Sequence, residues 1–81
     1  MHELAITEGI IKLVSDEAEK QGFQKCLGIT LAVGEFSGIV PACVTDFFPL
    51  AAKGKIAEGA SLTFTKSPDQ FRCYVEYLTV D

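Results

Sequence analysis

His2 offers the most chemistry in this chain. It directly follows Met1, and its bulk is expected to keep that methionine in place. A chain opening Met1-His2-Glu3 presents four nitrogens to one point: the α-amine of Met1, the backbone amides of His2 and Glu3, and the His2 imidazole. Small chelate rings join them. A set of four nitrogens suits a square-planar ion, Ni(II) or Cu(II), better than tetrahedral zinc. Chain ends also carry histidines that have no role, and spacing alone leaves both readings open.

The sulfur chemistry is thinner. Cys26, Cys43 and Cys73 are odd in number and widely spaced, and no Cys-x-x-Cys occurs. A secreted disulfide scaffold shows an even, denser set. A structural zinc site needs four thiolate or imidazole donors. The three cysteines therefore read as reduced thiols used as small apolar residues. Cys43 falls near the expected start of a helix, where a thiolate is stabilised. A cysteine nucleophile also needs a base, however, and His2 is the one histidine, far off at the N-terminus. Eleven acids are spread along the chain, and sequence alone pairs no two of them as acid and base. No Gly-x-Gly-x-x-Gly, Walker loop, His-Glu-x-x-His or EF-hand loop is present.

Composition limits what surrounds these residues. The 81 residues make a single domain, 1–81. At 48% apolar and 22% charged residues the chain is globular, not a disordered tail. Seven basic residues against eleven acidic ones leave a net charge of −4. No basic stripe is available to neutralise phosphates, so no nucleic-acid partner is expected. No apolar run approaches the ~18 residues of a membrane helix. Glu3 stands where a signal peptide would carry Lys or Arg. A cytoplasmic, non-membrane protein is expected. So small a core leaves little stability margin, which makes a homodimer a natural arrangement.

The elements that must position the candidate residues follow from periodicity. Between positions 3 and 21, Ile6, Ile10, Leu13, Val14 and Ala18 form one helical stripe. The pairs Glu8/Lys12 and Asp16/Lys20 support it at i,i+4 spacing, and Gly22 is a fitting stop. Leu27, Ile29, Leu31 and Val33 alternate with Cys26, Gly28, Thr30 and Ala32, which predicts a strand with one face of small residues. Residues 34–38 read as a loop. Pro41 suits the first turn of a second helix whose apolar face is Val44, Phe47, Phe48, Ala51 and Ala52, with Gly54 as its C-cap. Pro49 predicts a kink or break between 45 and 49. Leu62 and Phe64 alternate with Ser61, Thr63 and Thr65. Ser67-Pro68-Asp69-Gln70 reads as a tight turn, and residues 71–80 alternate again as a strand returning antiparallel. The expected fold is α+β in the order α-β-α-β-β, a three-stranded mixed sheet with two helices on one face.

A resemblance adds function. Met1-His2-Glu3-Leu4-Ala5-Ile6-Thr7 resembles the opening of the HypA family of hydrogenase-maturation nickel metallochaperones. The helix ending Glu17-Ala18-Glu19-Lys20 is similar to the family's first helix. Gly34-Glu35-Phe36-Ser37-Gly38 resembles its Gly-Glu-x-Ser-Gly segment. Ala52-Lys53-Gly54-Lys55-Ile56-Ala57-Glu58-Gly59-Ala60 resembles its stretch between second helix and second strand, and 71–81 its closing strand. The resemblance runs in order along essentially the whole chain. It implies a metallochaperone, not an enzyme. His2 would be a ligand for Ni(II), together with the Met1 amine and the amides of His2 and Glu3, and Glu3 would also shape the site. It further implies a HypB-type GTPase partner and delivery to a nickel-iron hydrogenase large-subunit precursor.

The chain departs from the family pattern in three places. The family carries a zinc domain with two Cys-x-x-Cys pairs between its last two strands. Here a turn near 67–70 takes that place, so no zinc is expected. Val40 stands where family members usually carry an acid before the proline, and valine cannot be a ligand. Pro49 is a smaller departure. The rival reading is a metal-free protein-interaction or dimerisation domain that kept the fold. Val40 and the missing zinc module favour it, and the intact Met1-His2-Glu3 opposes it.

Overall fold

The computed structural model describes residues 3–81. Its order is α1 (Glu3–Gln21), β1 (Cys26–Val33), α2 (Pro41–Ala51), β2 (Ser61–Lys66) and β3 (Cys73–Val80). The three strands form one mixed sheet in the order β2-β1-β3. β1 pairs parallel with β2 and antiparallel with β3. A parallel pair needs a crossover, and α2 with its following turns supplies it. This is the expected α+β fold.

The tight-turn reading of 67–70 would make β2 and β3 neighbours in a hairpin, but the central strand lies between them. The link at 67–72 instead arches over the end of β1, with Ser67 N–H donating to the Val33 carbonyl and Gly34 N–H to the Arg72 carbonyl, at 3.1 and 2.7 Å. β1 gains two partners by lying between the others, and Cys26, Ile29, Leu31 and Ala32 are buried there.

Both helices pack on one face of the sheet. Ile10, Ile11 and Val14 of α1 and Val44 and Phe48 of α2 meet Ile29 and Leu31 of β1. Leu62, Phe64, Val75 and Leu78 close the core from the flanking strands. The buried face of α1 is rotated from the expected stripe: Ile11 is 3% exposed and Thr7 0%, whereas Leu13 is 41% exposed. The surface pairing differs too, with Lys12 bonding Asp16 at 3.0 Å and Lys20 approaching Glu17 at 3.8 Å. Gly22 closes α1 as expected, at φ +81° with its N–H on the Ala18 carbonyl. That left-handed turn favours glycine.

Two bulges break the alternation assumed for the strands. Cys26 and Gly28 face the consecutive residues Val80 and Thr79, so Leu27 is the extra residue and is 48% exposed while Cys26 is buried. Thr30 and Leu31 face Tyr77 and Val75, so Glu76 is the extra residue on β3. An added residue flips the side-chain phase, which lets Val75 and Leu78 both reach the core. α2 also departs from expectation. It runs through Pro49 and stops at Ala51, with Ala52 as C-cap, and Gly54 lies in the turns beyond. Only the bond from position 49 to the Thr45 carbonyl is lost. Thr45 and Pro49 are both exposed, so water can take up that carbonyl.

Candidate functional site

Glu3 is the first residue of α1 and is only 7% exposed. Its Oε2 accepts a hydrogen bond from the Val40 backbone N–H at 3.1 Å. Thr7, fully buried one turn on, donates its hydroxyl to the Glu3 carbonyl at 2.6 Å. This pair fixes the start of α1.

Val40 is the N-cap of α2 and makes no side-chain cap bond. Its carbonyl accepts from the N–H groups of Cys43 and Val44 at 3.0 and 3.3 Å, and Pro41 opens the helix with its fixed φ. A helix start without a cap side chain leaves amides to be satisfied. Glu3 does for α2 what the third-position Glu of a capping box does within one helix. It reaches across from α1 to the N-cap amide, and its carboxylate faces the positive end of the helix dipole. The starts of both helices are thus joined at one point, 37 residues apart in sequence.

Among the residues named from sequence, Glu3 and Val40 are brought into direct contact. Met1 and His2, named with Glu3 as metal ligands, lie outside the described residues. Cys43 lies in the first turn of α2. With Glu3, Leu4 and Phe47 it lines an apolar cleft of about 290 Å³ beside the Glu3–Val40 contact. All three cysteines are free thiols. Burial pushes the Cys26 thiol up from its ordinary range, and hydrogen bonding with the Gly28 backbone only partly offsets this. Burial raises Cys73 likewise. Both are thereby held as neutral thiols at neutral pH, and thiolate is the form that binds metal. Cys26 and Cys73 sit at opposite ends of β1, against Val80 and Val33. Among the described residues no three His, Cys, Asp or Glu side chains converge to hold a metal ion. None of the described helices is long and apolar enough to cross a membrane.

The fold and the joined helix starts define a class, a small α+β domain whose two helices meet at their starts. Residues 1–76 match the family model described as hydrogenase/urease nickel incorporation, metallochaperone, HypA. The chain is 37% identical over 73 residues to the hydrogenase maturation factor HypA of Caldanaerobacter subterraneus, covering 90% of this chain and 64% of that protein. It is 38% identical over 73 residues to HypA of Dehalococcoides mccartyi, covering 90% and 61%. The solution structure of the nickel metallochaperone HypA from Helicobacter pylori superposes with a TM-score of 0.73 at 14% identity, over 100% of this chain and 87% of that one. This chain belongs to the HypA family. It spans less than two thirds of the length of the two curated relatives above.

Proposed function

We propose that this chain holds Ni(II) at its N-terminus and hands it on during nickel-iron hydrogenase maturation, as a carrier and not as an enzyme. The donors are the Met1 amine, the amides of His2 and Glu3, and the His2 imidazole. Glu3 has two parts in this reading: its amide is a ligand, while its side chain anchors the site to α2. The single observation that carries the reading is the 3.1 Å bond from the Val40 amide to the Glu3 carboxylate. It holds Glu3, the last residue of the donor set, against the start of α2. Partners outside the ligand set orient the groups that hold a metal. The receiving partners in this reading are a HypB-type GTPase and the hydrogenase large-subunit precursor. The six-residue link at 67–72 stands where the family resemblance places a zinc module, and this reading assigns no zinc to the chain.

Nickel titration by calorimetry on untagged protein tests this. Binding is expected for the native chain. It is expected to be mostly lost in His2→Ala and in a copy with one residue added before Met1. Binding should also weaken as acid protonates the imidazole, around its ordinary pKa of ~6.5. Val40→Glu is expected to tighten binding by restoring a carboxylate beside Glu3. Equal affinity in the native chain and His2→Ala rejects the proposal.

One observation favours a second reading. Val40, Phe47 and Leu50 lie along one side of α2 at 50%, 40% and 82% exposure, with Leu4 at 46% on α1. Such a stripe suits a metal-free protein-interaction or dimerisation domain. That reading gains if His2→Ala changes nothing.

A further inference from the structure

The loop that delivers Val40 to Glu3 is anchored at its other end. Gly34 directly follows β1, and a Cβ placed there would stand 2.5 Å from both the carbonyl carbon and oxygen of Gln70. Only glycine lets the 67–72 link approach so closely. Gly34 N–H donates to the Arg72 carbonyl and Phe36 N–H to the Gln70 carbonyl, each at 2.7 Å. The Phe36 and Phe71 rings pack at 5.9 Å between centroids, both largely exposed. Within the loop, Ser37 N–H donates to the Gly34 carbonyl at 3.1 Å, and the Ser37 hydroxyl accepts from Ile39 N–H at 3.3 Å. The next amide is that of Val40, on Glu3. The link is itself held by turns, with Asp69 N–H on the Ser67 hydroxyl and Phe71 N–H on the Asp69 carboxylate. A continuous run of short-range bonds therefore leads from the link between β2 and β3 to the carboxylate at the start of α1.

We infer that the 67–72 link braces the 34–40 loop and thereby holds the Val40 amide on Glu3, which makes Gly34 a positioning residue for the N-terminal metal site. The bracing itself stands on the geometry of 34–40 and 67–72. Its consequence for nickel rests on the function proposed above. A rigid loop fixed at both ends transmits a displacement at one end to the other. Adding a Cβ at Gly34 must move the Gln70 backbone or the loop, because neither contact atom is the end of a flexible side chain.

The test has two readouts on the full chain. The first is hydrogen exchange of the Val40 amide by NMR without nickel. The second is nickel affinity well below the melting temperature. Gly34→Ala is expected to speed Val40 exchange and to weaken nickel binding about tenfold, the scale typical of lost outer partners at a metal site. Phe71→Ala acts on an exposed ring, keeps the fold if Gly34→Ala does not, and is expected to act in the same direction more weakly. Asp81→Ala is the control. Its carboxylate accepts from Gln24 and Lys25 N–H at the opposite end of β1, so it lowers general stability without touching the loop. Faster Val40 exchange in both loop variants but not in the control supports the bracing. Unchanged Val40 exchange in both, or an equal rise in Asp81→Ala, overturns it. Faster exchange with native nickel affinity overturns the positioning role. If the native chain binds no nickel through His2, the proposed function fails and the positioning role with it, while Val40 exchange still decides the bracing.

Discussion

Glu3 carries more structural duty than its place near the chain start suggests. A buried carboxylate is costly unless its oxygens are bonded, and here Val40 N–H supplies one donor at 3.1 Å. Glu3→Ala removes the bond that joins α1 to α2, and is expected to lower stability by about 1.5–3 kcal/mol, the range for hydrogen bonds to charged groups. Glu3→Gln keeps an acceptor and should cost less. Urea denaturation of the three proteins measures this, and equal midpoints would remove Glu3 from the structural account. The buried thiols make a second prediction at this scale. In the unfolded chain a cysteine ionises near its ordinary pKa of ~8.5, whereas burial raises Cys26 and Cys73 in the folded chain. Their stabilising contribution is complete below the unfolded pKa and is lost as pH rises through the folded one. Between pH 7 and 10 the urea midpoint should fall more steeply for the native protein than for Cys26→Ala. Parallel curves would show that Cys26 plays no part in the alkaline loss.

Among the elements, α2 tolerates an apparent contradiction. A proline inside a helix costs about 3 kcal/mol in the interior. Pro49, however, lies two residues from the end of α2 and is exposed, so only one ladder bond is missing. Replacement should recover part of that cost. Pro49→Ala is expected to stabilise the protein by about 1 kcal/mol, read as a rise in melting temperature. A fall would show that the ring is needed to end the helix before the turns at 52–59. The strands adapt differently. One extra residue at Leu27 and another at Glu76 set the faces of β1 and β3 independently of strict alternation.

At the scale of the molecule, a sheet ordered β2-β1-β3 has two edges, and each outer strand presents unpaired backbone groups. In a domain of 8.8 kDa with so small a core, pairing of these edges is an economical way to bury surface. Concentration-dependent dimerisation is expected in sedimentation equilibrium, and a single monomer mass at high concentration would exclude it. The other whole-molecule prediction concerns zinc. The 67–72 link contains no cysteine, and metal that does not close a site adds nothing to folding. A strong chelator should leave the melting temperature unchanged. Elemental analysis finding one tightly held zinc per chain would require a site shared between subunits.

Local chemistry alone determined the element types and their order in this protein. Period-3.6 and period-2 patterns, Gly22 as a stop and Pro41 as a start each act within a few residues, and these produce α-β-α-β-β with both helices on one face. The opening Met1-His2-Glu3 is likewise a purely local set of donors. Tertiary packing decided the rest. Competition for the central position placed β1 between β2 and β3 and turned an apparent hairpin into an arch. The rotation of α1 that buries Ile11 and exposes Leu13 depends on where α2 lies, because both residues are equally apolar. The bulges at Leu27 and Glu76 depend on what the partner strand offers across the ladder. Contact between Glu3 and Val40, and between Gly34 and Gln70, joins residues about 36 positions apart. No spacing rule reaches that far, since only the folded sheet and its two helices bring such positions together.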